Sequence, residues 1–212
     1  MTPRRYRYDP ARRKAAVEKT RARILRAAAD LHAKHGIVGT SYAMIAKKAD
    51  VSLPTVYHHF PELGDLVAAC GGYVLGRAPL LGPEIFEGID DAQSRLRALA
   101  QHLCKFYRFV APWFRWIYYE ARIVAEIALL HKKATEARRA LLGAALAPAF
   151  GKNPPQRLAA LCESLLDFPA WQTLTGDGRL SDDEAEAALV DALTTLVNSM
   201  KPANLSMRGS ST

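Results

Sequence analysis

The sequence predicts an all-α chain of about nine helices, divided into a small N-terminal helical domain and a larger C-terminal one. Apolar residues recur at helical spacing along nearly the whole chain. Period-2 alternation is almost absent, and Gly/Pro clusters cut the chain into helix-sized pieces. Half of the 212 residues are hydrophobic, enough for a substantial core rather than a disordered chain.

The elements follow in order. Asp9-Pro10 reads as an N-cap followed by Pro at the first helical position, opening a helix that Gly36 stops after His35. Its apolar face is Val17, Ile24, Ala27, Ala28 and Leu31, and Arg12, Arg13, Lys14, Lys19, Arg21 and Arg23 crowd its start. Thr40-Ser41 caps a short helix over 42–49. Asp50-Val51-Ser52 breaks it, and Ser52 caps a second short helix over 53–60, with Pro54 tolerated in the first turn. A helix over 65–76 leads to a loop at Pro79, Gly82 and Pro83. Beyond it the breakers predict a helix over 90–110, a short one over 113–122 separated by Pro112, and a third reaching about 146. Two last helices span 156–174 and 181–200. The domain boundaries so read are a basic extension over 1–16, a first domain over 17–64, a second over 65–202 and a disordered tail over 203–212.

Charge is distributed unevenly. Residues 1–64 carry 13 Lys/Arg against 5 Asp/Glu, while the remaining residues carry 16 of each, so the surplus sits in the first third. Such a segment suits a polyanion, either nucleic acid or a membrane surface. Arg4, Arg5, Arg7, Arg12 and Arg13 read either as an arm reaching a groove or as a solvated basic tail. No apolar stretch follows them as an export signal would require, and no run is long enough to span a membrane, so a cytoplasmic location is expected. Cys70, Cys104 and Cys162 stand alone without metal-ligand spacing and read as buried structural thiols. No cofactor or metal is expected.

Two short helices joined by a tight turn with small residues at the contact (Ala46, Ala49, Val51) form the pattern of a helix-turn-helix. Ile45, Val56 and Phe60 supply its core. Leu53, Pro54, Thr55, Tyr57, His58 and His59 are left on the exposed side of the second helix. Thr40 and Ser41 place hydroxyls and free N–H groups where a phosphate is favoured.

The stretch Gly36-x-x-x-Thr40-Ser41-x-x-x-Ile45-Ala46-x-x-Ala49-x-Val51-Ser52-x-x-Thr55-Val56-Tyr57-His58-His59-Phe60, then Leu66, closely resembles the DNA-binding domain of the tetracycline-repressor (TetR) family. The resemblance covers about residues 17–68. It implies a nine-helix homodimer without enzymatic activity that binds a near-palindromic operator on double-stranded DNA. Carried over by position, it implies phosphate contacts from Thr40, Ser41 and Lys47 or Lys48. It also implies a recognition helix opened by Ser52, Leu53 and Pro54 and carrying Thr55, Tyr57 and His58. Three departures from the family pattern stand out: Asp50 where Gly is usual, Leu53-Pro54 for a small or basic pair, and Leu63 for a phosphate-contacting Lys.

In the C-terminal part Phe106, Phe109, Trp113 and Trp116 share one face if the helix continues through Pro112, with Phe168 and Trp171 from a later helix. They read either as core or as a pocket for an apolar or aromatic small-molecule effector, with Tyr119 as a donor. Glu120 continues that stripe into the pocket, unless a kink at Pro112 turns it to solvent. Leu158, Leu161, Leu165, Leu189, Ala192, Leu193 and Leu196 form apolar stripes that serve either a dimer interface or the monomer core. The acidic pairs Asp90-Asp91 and Asp182-Asp183 sit at predicted helix starts, where capping and the helix dipole account for them. The function these observations favour is a DNA-binding transcriptional regulator, a repressor released by an effector. The alternative is a helical architectural DNA-binding protein without a ligand switch.

Overall fold

The computed structural model describes residues 9–200. Arg4, Arg5 and Arg7 of the basic extension and the tail over 203–212 lie outside the described residues. The α-helices are α1 (Pro10–His35), α2 (Tyr42–Ala49), α3 (Leu53–His59), α4 (Leu63–Leu75), α5 (Ala92–Glu120), α6 (Ala125–Phe150), α7 (Gln156–Leu165), α8 (Phe168–Thr175) and α9 (Asp182–Met200). A short 3-10 turn, Pro83–Phe86, interrupts the loop expected before α5.

The described helices number nine, as the sequence predicts, but they are divided differently. α5 runs unbroken through Pro112, joining the two pieces expected over 90–110 and 113–122. A proline inside a helix forfeits one backbone bond and crowds the preceding turn, a cost that flanking packing can outweigh. Val110 and Ile117, on either side, are both buried. α6 likewise continues past Pro148 to Phe150. The helix expected over 156–174 is instead two. Asp167 caps α8 by accepting the Phe168 N–H, and Pro169 follows in the first turn, so the sequence carries a fresh helix start there.

The chain forms two compact units. One comprises residues 9–77 with Arg115–Leu130, and the other Ala78–Phe114 with 131–200. In the first, α1 packs against α2 and α4, and α2 against α3, around Ile24, Ala28, Ile45, Val56, Phe60 and Leu66. Val17, expected on the apolar face of α1, is exposed, and His32 is buried instead. Cys70 Sγ lies 3.5 Å from His32 Nδ1. In the second unit α7, α8 and α9 pack on one another, with Leu158, Phe168, Leu189, Leu193 and Val197 buried. Tyr107 donates its hydroxyl to the Leu166 carbonyl at 2.6 Å, and Arg138 pairs with Asp167 at 2.8 Å, so side chains of α5 and α6 tie down the junction of α7 and α8. Asp91 caps α5 through the Ser94 N–H, as the capping reading of the first acidic pair expects, whereas α9 is capped by a reciprocal box of Ser181 and Glu184, and Asp182 of the second pair bonds Arg108 at 2.6 Å instead.

Burial depresses His32 from its usual value to about 4. The unfolded chain therefore takes up this proton first, so stability is full above pH ~6.5 and falls as pH drops from there towards 4, by at most about 3 kcal/mol. Urea midpoints across that range should show the decline, and His32→Gln should remove most of it.

Candidate DNA-binding site

Three local devices build the edge formed by α2 and α3. Ser41 caps α2 by accepting the Met44 N–H at 3.2 Å. Ser52 caps α3 by accepting the Thr55 N–H, and its hydroxyl shares a 2.7 Å bond with that of Thr55. Between them Asp50 adopts the left-handed conformation (φ 51°, ψ 55°), and its N–H reaches back to the carbonyls of Ala46 and Lys47. The family's usual Gly is thus replaced by a residue that tolerates this region better than most.

The turn is also clamped from outside. Arg23 of α1 donates Nε and Nη2 to the Ala49 carbonyl, at 3.1 and 2.7 Å, and Nη2 also to that of Asp50. A guanidinium at the carbonyl end of α2 satisfies acceptors that have no intrahelical partner and complements the helix dipole. Arg21, on the same helix, lies over the Phe60 ring at 5.1 Å. Both arginines belong to the basic stretch read from sequence as available to a polyanion. No local pattern identifies them as internal braces.

Val56 and Phe60 are at most 1% exposed, whereas Ser52, Leu53, Pro54, Tyr57 and His58 all face out. Tyr57 packs its ring against Tyr42 at 4.8 Å, which fixes the direction in which it projects. The Tyr42 hydroxyl is buried, with no hydrogen-bond partner among the described residues. Desolvation, with Tyr57, Asp65 and Glu62 nearby, raises its pKa. Tyr42 is the site residue that the sequence reading left out, and its place at the first position of α2 was the available signal. Ser41 and Lys47 are exposed. Lys48 is exposed but paired with Asp30 at 3.2 Å, and Thr40, partly buried, donates its hydroxyl to the Gly36 carbonyl at 2.6 Å. Leu63, one of the departures noted above, is exposed and opens α4.

Residues 24–70 match the family model described as bacterial regulatory proteins, tetR family. The match runs from α1 into α4, so the helix-turn-helix of this chain is that of a tetR-type bacterial regulatory protein. Solved structures share its fold across both units. A transcriptional regulator from Saccharomonospora viridis in complex with choline is 22% identical, covering 82% of this chain and 95% of its own, with a TM-score of 0.64. A TetR regulator from Haloarcula marismortui is 16% identical, covering 87% and 100%, with a TM-score of 0.64. The multidrug binding protein EbrR, complexed with imidazole, is 24% identical, covering 97% and 100%, with a TM-score of 0.60. No curated protein matches the chain.

The residues expected in an effector pocket separate into three groups. Phe106, Phe168 and Trp171 come together in the second unit, joined by Tyr107 and Phe114, which the sequence reading missed. Phe168 stacks edge-on against Tyr107 and Phe114, both at 5.5 Å, and lies 5.7 Å from Trp171. Trp171 is buried, and its Nε1 has no hydrogen-bond partner among the described residues. Phe109 and Trp113 pair with each other at 6.0 Å. Trp116 and Glu120 are engaged elsewhere, in the first unit, and Tyr119 is 75% exposed. Glu120 therefore neither lines this cluster nor turns to solvent: it is 6% exposed and accepts the N–H groups of Ile37 and Val38.

The stripes assigned to dimerisation also divide. Leu158, Leu189 and Leu193 are buried within the monomer, whereas Leu161 is exposed and Leu165, Ala192 and Leu196 are half-buried.

Relieving the left-handed strain at Asp50 by Asp50→Gly should raise stability by about 0.5–1 kcal/mol, read as a higher urea midpoint at unchanged slope.

Proposed function

We propose that the protein is a repressor that binds a palindromic operator as a homodimer and leaves it when a small-molecule effector binds. The observation that carries the reading is the two-sidedness of α3. Its apolar side is held by Val56, with Phe60 just beyond, while Pro54, Tyr57 and His58 are exposed beside the exposed Ser41 and Lys47. A helix so held and so exposed suits the major groove, and hydroxyls and lysine at its flank suit phosphates. Thr40, Ser52 and Thr55 act in this reading chiefly by shaping the edge, because their hydroxyls are already bonded within the protein.

The dimer face is assigned to the part of α7 and α9 that the monomer leaves accessible, with Leu161, Leu165, Ala192 and Leu196 at its centre. Two copies then place two α3 helices on half-sites about one helical turn apart. The effector is assigned to the aromatic cluster of Phe106, Tyr107, Phe114, Phe168 and Trp171, whose ring faces suit an apolar or aromatic compound. Such faces also attract organic cations, and the Saccharomonospora viridis regulator is a choline complex. The unpartnered Trp171 N–H offers such a ligand one donor. The reading is non-enzymatic and cytoplasmic.

Replacing Tyr57 tests the docking. Tyr57→Ala should weaken binding to the inverted repeat selected by the wild type by about 10- to 100-fold, corresponding to about 1–3 kcal/mol. The dimer should remain intact by sedimentation. Wild-type affinity in this variant would remove α3 from the interface.

A further inference from the structure

A buried carboxylate must find hydrogen-bond donors. Glu120, the last residue of α5, finds two backbone amides: Oε2 accepts the Ile37 N–H and Oε1 the Val38 N–H, each at 3.0 Å. One turn earlier Trp116 donates its Nε1 to the Ala33 carbonyl at 3.2 Å. Gly36 lies against both side chains at φ 73°. A Cβ there would run into the Glu120 carboxylate and come within 3.3 Å of Trp116.

The turn held in this way leads directly to α2. The Gly36 carbonyl accepts the Thr40 hydroxyl at 2.6 Å, the Ile37 carbonyl accepts the Thr40 N–H at 3.1 Å, and Ser41 caps the helix that follows. A continuous series of bonded groups therefore runs from one carboxylate to the end of α2 proposed to face a phosphate.

We infer that Glu120 is a positioning residue for operator binding: through Ile37, Val38 and the bonded Thr40 it fixes where Ser41 meets the DNA backbone. The inference rests on the regulator reading above. Glutamine at 120 has a single acceptor oxygen, so one of the two amides would face an NH2 group and the turn would have to shift. Hydrogen bonds weaken steeply beyond about 3.2 Å, so a displacement of about 1 Å at Ser41 suffices to lose its phosphate.

The test is a double-mutant cycle between Glu120→Gln and Ser41→Ala. It is read as operator affinity of the full-length protein, at a temperature where every variant is folded by circular dichroism. Glu120→Gln should weaken binding tenfold or more, and Ser41→Ala alone several-fold. Adding Ser41→Ala to Glu120→Gln should cost less than a further twofold, because the contact is already lost. A merely structural role would lower melting temperature without this coupling. Should Glu120→Gln not fold, Glu120→Asp, which keeps the charge but is too short for both amides, takes its place with the same expectation. Losses that multiply, or full affinity in the Glu120 variant, overturn the inference while the regulator reading stands. A wild type that selects no operator overturns both.

Discussion

A seven-residue helix cannot hold itself together in water, and α3 is seven residues long. The DNA reading proposed for it depends on how the rest of its unit holds it. Ser52 supplies the start, Val56 anchors one side, and Phe60 closes the end beneath the Arg21 guanidinium. The angle between α2 and α3 is set by Asp50, whose left-handed backbone is kept by its own N–H to α2 and by Arg23 on the carbonyls around it. Charge in α1 is thus spent twice. Some residues hold the motif in shape, and the remainder give the N-terminal third its excess of positive charge.

The helix α5 shows how one periodic stretch serves two purposes. Its buried stripe runs through Leu99, Leu103, Tyr107, Val110 and Ile117, with the half-buried Phe114 on the same side. Phe106, Phe109 and Trp113 are displaced from the centre of that stripe by about a quarter turn on a 3.6-residue helix, and all three are half-buried. Tyr107 and Phe114 therefore share the core-facing direction with the aliphatics, and the other three aromatics flank it. Farther along, Trp116 and Glu120 face the end of α1, where a carboxylate answers amide groups that a hydrophobic side chain would leave unpaired.

Much of this was legible in the sequence. The caps at Asp9, Ser41 and Ser52, the stop at Gly36 and the left-handed turn at Asp50 are local signals with local causes. Proline is a weaker breaker at Pro112, and a stronger helix-start signal at Pro169, than local sequence suggests. The first is overridden by packing on both sides. The second, following Asp167, is an ordinary helix start hidden within an apolar run. Three partnerships were illegible, namely Arg23 with the turn at Asp50, Glu120 with Ile37 and Val38, and Arg138 with Asp167. Each joins residues distant in sequence, and no spacing rule links them. Among the aromatics, sequence named Phe106, Phe168 and Trp171 but not Tyr107 and Phe114, because the stripe was drawn through aromatic positions alone.

The central claim is that α3 reads sequence. Its most direct test is selection of bound duplexes from a random pool by the full-length protein at about 150 mM salt, where non-specific affinity is weak. The account predicts enrichment of one inverted repeat with half-sites about one helical turn apart, bound at least about 1,000-fold more tightly than random DNA. Binding that enriches no sequence and fades steadily as salt rises would contradict it, leaving a basic helical protein that holds DNA without reading it.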